Sequence, residues 1–304
     1  MKLLIALLLV LISIKPAHSV DWFQSNSPLE RAHKDLLEDE LGDMFDDLVE
    51  LLQRQPDAKL GSHLNDLLTQ SLTKDCGQSL TSPEFPDWLK GVNIVHQTIQ
   101  SPGRDSYKIV IEVRTTKEIE EIIFERWFEE SISSDSLFNY EKEPVGDKDQ
   151  DYGLKTYLKH YNISGRLEPG LYHLTIKNGD FQAYRAWVIL GMSNSSLYVR
   201  WTSNDSWKVE KSVLINSFCP LPELEMSLFD YKNGEFEEVW KKNYKSNYPT
   251  SLPVNDVPHS RYVLALTISS RRWQGNISVE QAQTISRTFN VSKQVPDESL
   301  INDN

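Results

Sequence analysis

Between residues 28 and 74 the apolar positions recur at three- and four-residue steps: Leu29, Ala32, Leu36, Leu37, Leu41, Met44, Phe45, Leu48, Leu51 and Leu52. That spacing lines one face of an α-helix and predicts helices packed through it. His33 lies on the same stripe, where a packed histidine is the ordinary role. Pro28 suits a first helical turn, Gly42 before Asp43 predicts a stop followed by a new N-cap, and Pro56 marks a further break. Leu60, Leu64, Leu67, Leu68 and Leu72 then predict a third helix.

The period changes after a stretch punctuated by Ser82-Pro83, Phe85-Pro86 and Gly91. From about residue 92 the signal is β. Tyr107, Ile109, Ile111 and Val113 alternate along Ser106–Thr115, and Ser101 to Asp105 predicts the turn of a hairpin before them. Further strands are expected at Glu121–Phe128, Leu171–Ile176, Tyr184–Leu190, Leu197–Trp201, Leu224–Phe229, Phe236–Trp240, Tyr262–Ile268 and Asn276–Val279. Many short strands with turn punctuation indicate sandwiches rather than an α/β sheet. Glu168 to Ile176 and Val257 to Ile268 echo each other: a proline-bearing loop, then an aromatic-led strand closing in Leu-Thr-Ile.

The expected organisation is therefore mainly β: a short helical segment followed by two β-sandwich units of immunoglobulin-like type. Residues 1–19 form a signal peptide, 20–75 the helical segment, 76–91 a linker, 92–195 the first sandwich, 196–290 the second and 291–304 a flexible tail.

The leader reading rests on Lys2, the apolar run Leu3–Ile14 and the small-x-small site Ala17-His18-Ser19, which would leave Val20 first. That run is too short for a mature membrane span, and no later run is long enough. Export is thus expected, to the periplasm first and the extracellular space second. In an oxidising compartment Cys76 and Cys219, the two cysteines of the chain, are expected to pair.

The full chain carries −12; losing Lys2 and Lys15 takes the mature chain to −14. That charge argues against nucleic acid as partner. Glu30–Glu50 concentrates nine acidic residues against two basic ones, either a docking surface for a basic partner or the solvated side of amphipathic helices.

Candidate chemistry is sparse. Asp147, Asp149 and Asp151 alternate as the acidic oxygens of a Ca2+ loop do, but Tyr152 replaces the loop glycine and Leu158 the closing glutamate. Calcium is accordingly a weak cofactor candidate, and no other cofactor is indicated. Ser71-Leu72-Thr73-Lys74 matches S-x-x-K without its companion motifs, and Gly191 to Ser195 misses the nucleophile elbow at its last position. The histidines form neither H-x-x-x-H nor H-E-x-x-H. Trp201 and Trp207 bracket Ser203-Asn204-Asp205, and Trp273 follows Arg271-Arg272; rings displayed in such loops could stack on a saccharide.

Trp22-Phe23-Gln24, Pro28-Leu29, Ala32-His33, Leu36-Leu37, Met44-Phe45 and Leu48-Val49-Glu50 resemble the opening of an uncharacterised secreted-protein family of vibrios and related bacteria. Some members of that family lie beside a two-component system controlling the cell envelope. The resemblance implies a periplasmic role in envelope sensing or homeostasis, with no activity and no site residues. The leading expectation is a non-enzymatic binding or adaptor protein with an envelope protein as partner. A saccharide-binding module is the alternative, and a hydrolase assembled from distant residues the third reading.

Overall fold

The computed structural model describes residues 27–54, 61–101, 103–128, 130–132, 140–141, 154–180, 182–191, 197–210, 217–232, 234–253 and 260–291. Three helices come first: α1 (Pro28–Leu37), α2 (Leu41–Arg54) and α3 (Ser62–Asp75). Strands β1 (Leu89–Ser101), β2 (Arg104–Thr115), β3 (Ile119–Arg126), β4 (Glu130–Ser131), β5 (Tyr140–Glu141), β6 (Lys155–Ile163), β7 (Gly170–Asn178) and β8 (Ala183–Leu190) follow. The remainder are β9 (Tyr198–Trp201), β10 (Trp207–Glu210), β11 (Glu223–Lys232), β12 (Glu235–Tyr244), β13 (Arg261–Gln274) and β14 (Ile277–Asn290).

α1 starts where the sequence indicates, with Pro28 in the first turn and the Ser27 hydroxyl accepting the Glu30 N–H at 3.3 Å. The break before α2 falls three residues earlier than Gly42 predicts. Asp39 takes the left-handed turn (φ 62), and Gly42 rides inside the first turn of α2. An aspartate tolerates that conformation better than most side chains, so the stop needs no glycine.

The strands form a mainly β sandwich around one large sheet. Its order is β12-β11-β13-β14-β1-β2-β6-β5; a four-stranded sheet runs β4-β3-β7-β8, and β9 and β10 make a separate ribbon. All neighbouring pairs of the large sheet are antiparallel except β1 with β14, which run parallel from Val92↔Ile277 to Gln100↔Ile285. Registered partners share a face, and successive residues alternate faces. Val92, Ile94, Ile111, Val279, Ile285, Leu266 and Met226 therefore all point to one side of the large sheet.

Two cores lie on that side. The first packs β1, β2, β6 and the start of β14 against β3, β7 and β8, through Ile94, Ile111, Tyr161, Phe124, Tyr172 and Val188. The second packs β11, β13 and the end of β14 against the ribbon, through Met226, Leu264, Leu266, Ile285, Val199 and Trp207. The two echoing segments fall on β7 and β13, in different sheets.

A third core joins the helices to the outer face of the four-stranded sheet, where Leu171 and Ile189 meet Phe45, Leu48, Leu52 and Leu68. The helical layer is thus the lid of a three-layer stack. Its apolar stripe is the one that the three- and four-residue spacing marks, except that Leu37, at the end of α1, is 76% exposed and faces solvent.

Open sheet edges in this stack are satisfied by side chains. The Tyr161 hydroxyl accepts the Phe124 N–H (3.0 Å) and donates to the Ile122 carbonyl (3.2 Å) on β3. On β8, Gln274 accepts the Ile189 N–H (3.2 Å) and donates to the Trp187 carbonyl (2.9 Å), while Arg272 donates to the Ile189 carbonyl (3.0 Å). Gln283 does the same for Val199 on β9, accepting its N–H at 2.7 Å and donating to its carbonyl at 3.1 Å. Each side chain stands in for a missing strand, which removes unpaired edge groups without adding backbone.

The segment after α3 is tied to the β13–β14 turn. Trp273 donates its N–H to the Cys76 carbonyl (2.9 Å), Gly275 to that of Gly77 (3.0 Å), and Asn276 to the Ser82 hydroxyl (3.0 Å). Gly77 sits at φ +87, and a Cβ there would lie 2.0 Å from the Trp273 carbonyl oxygen, so only glycine fits. Cys76 and Cys219 are joined as a disulfide, their Cα atoms 5.2 Å apart.

Candidate functional site

The helical layer carries the acidic stretch Glu30–Glu50, nine acidic residues against two basic ones. α2 turns Met44, Phe45, Leu48, Val49 and Leu52 inward, which leaves Asp43, Asp46 and Glu50 along its outer side. Asp47 is nearly buried between α1 and α2, and it is not left unpaired. The Arg31 guanidinium reaches across from α1 to donate to it from Nε at 2.9 Å and from Nη2 at 2.5 Å. The same Nη2 donates to Glu50 at 2.5 Å.

Arg31, together with Arg54 on Glu50, does not neutralise this cluster. Partial burial raises the Asp35 carboxyl above its ordinary range, with the neighbouring Asp47 and Asp43 adding to the effect. Burial likewise raises Asp46, helped by Asp43 and Asp47. Two carboxylates held partly desolvated beside like charges regain electrostatic energy when a cationic group approaches. Lys34 to Glu38 (3.7 Å) and Lys74 to Asp39 (2.6 Å) are exposed pairs at the other end of α1 and contribute little.

The structure brings together one pair that no local motif marks. His33 on α1 and His63 on α3 approach Nε2 to Nε2 at 2.9 Å, with ring centroids 4.9 Å apart. Burial lowers the His33 pKa, and His63 lowers it further. The two are thirty positions apart, so motifs confined to a single helix miss them. Among the described residues no group of three or more His, Cys, Asp or Glu is arranged to hold a metal ion.

The other sequence candidates are placed as follows. Asp147, Asp149 and Asp151 lie outside the described residues, as does the segment 192–196 of the elbow-like stretch. Ser71 is buried in α3 and donates to the Leu68 carbonyl at 2.7 Å, while Lys74 faces Asp39 on the surface. The S-x-x-K pair is therefore split between core and solvent.

The three tryptophans are not displayed in loops. Trp207 begins β10 and is 1% exposed, its ring edge-on to Trp201 at 5.9 Å, so it offers no face to a saccharide. The Arg287 guanidinium lies 4.6 Å from the Trp201 ring centroid, and that face is taken by a cation–π contact. Trp273 is part of β13, half-buried and backbone-bonded to Cys76. A two-strand ribbon needs its aromatic residues for its own core, which is why they turn inward. Among the described residues the exposed aromatics are instead Phe128, Tyr198, Phe218, Tyr231 and Phe236.

No helix among the described residues is long and apolar enough to cross a membrane. No curated protein matches the chain. Among solved structures the chain is similar to one titled "Crystal structure of DIP-gamma IG1+IG2", at 11% identity over 67% of this chain and 97% of that one, with a TM-score of 0.21. At that score the likeness establishes neither fold nor partner. A family model described as "Protein of unknown function (DUF2861)" matches residues 22–290, far beyond the opening motif, and the chain belongs to that uncharacterised family.

Proposed function

We propose that this chain is an exported, non-enzymatic binding protein of the cell envelope, residing in the periplasm, whose helical layer docks a protein partner bearing a basic surface. The observation that carries the reading is the crowding of Asp35, Asp43, Asp46 and Asp47 on the outermost layer, where burial and mutual repulsion raise two of the carboxyls. A basic partner relieves that repulsion, and charge complementarity of this kind sets docking rate and register. The apolar leader and the Cys76–Cys219 disulfide support export. A place in envelope sensing or homeostasis is the role that the opening-motif resemblance suggests.

The test is crosslinking inside the native compartment from a photoreactive residue placed at Glu38. One dominant protein partner should be captured, and the yield should collapse in the double variant Asp43→Lys, Asp46→Lys. Both side chains lie on the solvent side of α2 and repel the neighbouring carboxylates, so the variant should melt at or above the parent's temperature. Capture that is indifferent to the charge reversal refutes docking through this face.

A further inference from the structure

We propose that His33 and His63 form a two-histidine site for one divalent transition cation of the Zn2+, Cu2+ or Ni2+ class, bridging α1 to α3. The inference is independent of the docking partner.

The geometry is that of a ligand pair. Imidazole nitrogens bind Zn2+ at about 2.0–2.1 Å, so two cis ligands stand about 2.9 Å apart at a right angle and about 3.4 Å apart at the tetrahedral angle. The two Nε2 atoms are 2.9 Å apart. With the ring centroids 4.9 Å apart and the planes tilted by 35°, the nitrogens face one another across the helix junction. A small rotation about the side-chain torsions turns both lone pairs toward one ion.

A hydrogen bond between the rings is the competing account of that approach. It needs one ring to donate from Nε2 and the other to accept there. In an exposed place such a bond competes with water for both nitrogens and adds little to stability. A shared cation uses both Nε2 lone pairs at once, with each ring carrying its proton on Nδ1.

The surroundings suit a cation. Glu30 and Asp66 stand three residues from His33 and His63 on their respective helices, on the same helical faces. The acidic cluster of α1 and α2 adds negative potential, and the whole chain carries −12. With two protein ligands, water completes the coordination shell, so the ion exchanges readily and acts as a clamp rather than a folding requirement. Imidazole-rich, thiolate-free ligation favours Zn2+, Cu2+ and Ni2+ over Ca2+ and Mg2+.

The test uses the tag-free mature protein after chelator treatment. ZnCl2, CuCl2 and NiCl2 are each titrated by calorimetry, with MgCl2 as control, on the parent, His33→Gln, His63→Gln and the double variant. The parent should take up one transition ion per chain and rise in melting temperature; MgCl2 should do neither. Loss of outer-shell groups alone costs about 10–100-fold in affinity, so loss of a direct ligand should weaken binding by at least about tenfold in each single variant. Nitrogen-detected imidazole spectra should show Zn2+ shifting Nε2 of both rings. Metal-free melting curves that match the parent establish that the variants fold. Binding that persists in the double variant, or no uptake by the parent at about 1 mM ion, overturns the site.

Discussion

Lys159 offers the sharpest check on the physical reading of the sandwich. It lies on β6 between Tyr157 and Tyr161, faces the four-stranded sheet and is 1% exposed. Burial pushes its ammonium from 10.5 down to about 8, against a partial pull upward from Glu121. Glu121 also accepts from Lys177 at 2.6 Å, so it keeps a partner if Lys159 is replaced. The difference between about 8 and 10.5 amounts to about 3 kcal/mol of cost for the charged form in the folded state at pH 7.

Lys159→Met keeps the length of the side chain and removes the charge. It should stabilise the protein by up to about 3 kcal/mol at pH 7, because a buried charge is exchanged for an apolar group of similar volume. The sign with pH follows from the lowered folded value. Wild-type stability is regained above 10.5 and lost as pH falls through 8. The gap between variant and parent should therefore shrink to about 2 kcal/mol at pH 9 and below about 1 kcal/mol at pH 10. Urea unfolding of both proteins across that range measures it, and taking the difference cancels the other titrating groups. A gap that stays constant with pH, or a variant less stable than the parent at pH 7, would refute the argument.

Three further outcomes are expected. Gly77→Ala places a Cβ in contact with the Trp273 carbonyl at positive φ and should cost at least about 1–3 kcal/mol from strain alone; a loss in chemical denaturation under about 0.5 kcal/mol would contradict the required glycine. Gln274→Leu leaves the Ile189 N–H and the Trp187 carbonyl on β8 without their partner and should cost about 2 kcal/mol or more, whereas an unchanged urea midpoint would mean that β8 needs no surrogate strand. His33, His96 and His173 all have lowered pKa values, chiefly through burial, so stability should be complete above pH 6.5 and fall as pH drops through their folded values; a melting temperature flat from pH 7 to pH 5 would negate that linkage.

The helical stripe and most strands were readable because burial on one face writes a period into the sequence. β6 escaped because Lys155 to Ile163 carries lysine and histidine through its centre, with Lys159 at a core-facing position. The inward turn of Trp207, which brackets Ser203 to Asp205, is not legible because local polarity in that turn does not reveal which way a flanking strand faces. The shared sheet was invisible for a different reason. β1 and β14 are separated by most of the chain, and parallel pairing leaves no hairpin signal. The histidine pair belongs with these: each histidine sits unremarkably on its own helix, and only the packing of α1 beside α3 joins them.

The parallel β1–β14 seam also sets an order of events in folding. Val92 meets Ile277 only after the intervening chain has been made and placed, so the seam is among the last contacts available and carries a large loop-closure cost. Until it forms, β1 can pair with β2 but has a bare second edge, and β13 can pair with β14 while their shared face has no first core to cover. The half-folded chain is thus most vulnerable to strand capture at β1, the strand that later becomes interior. An added peptide with the sequence of β14 should compete for that edge during refolding and leave the native protein untouched.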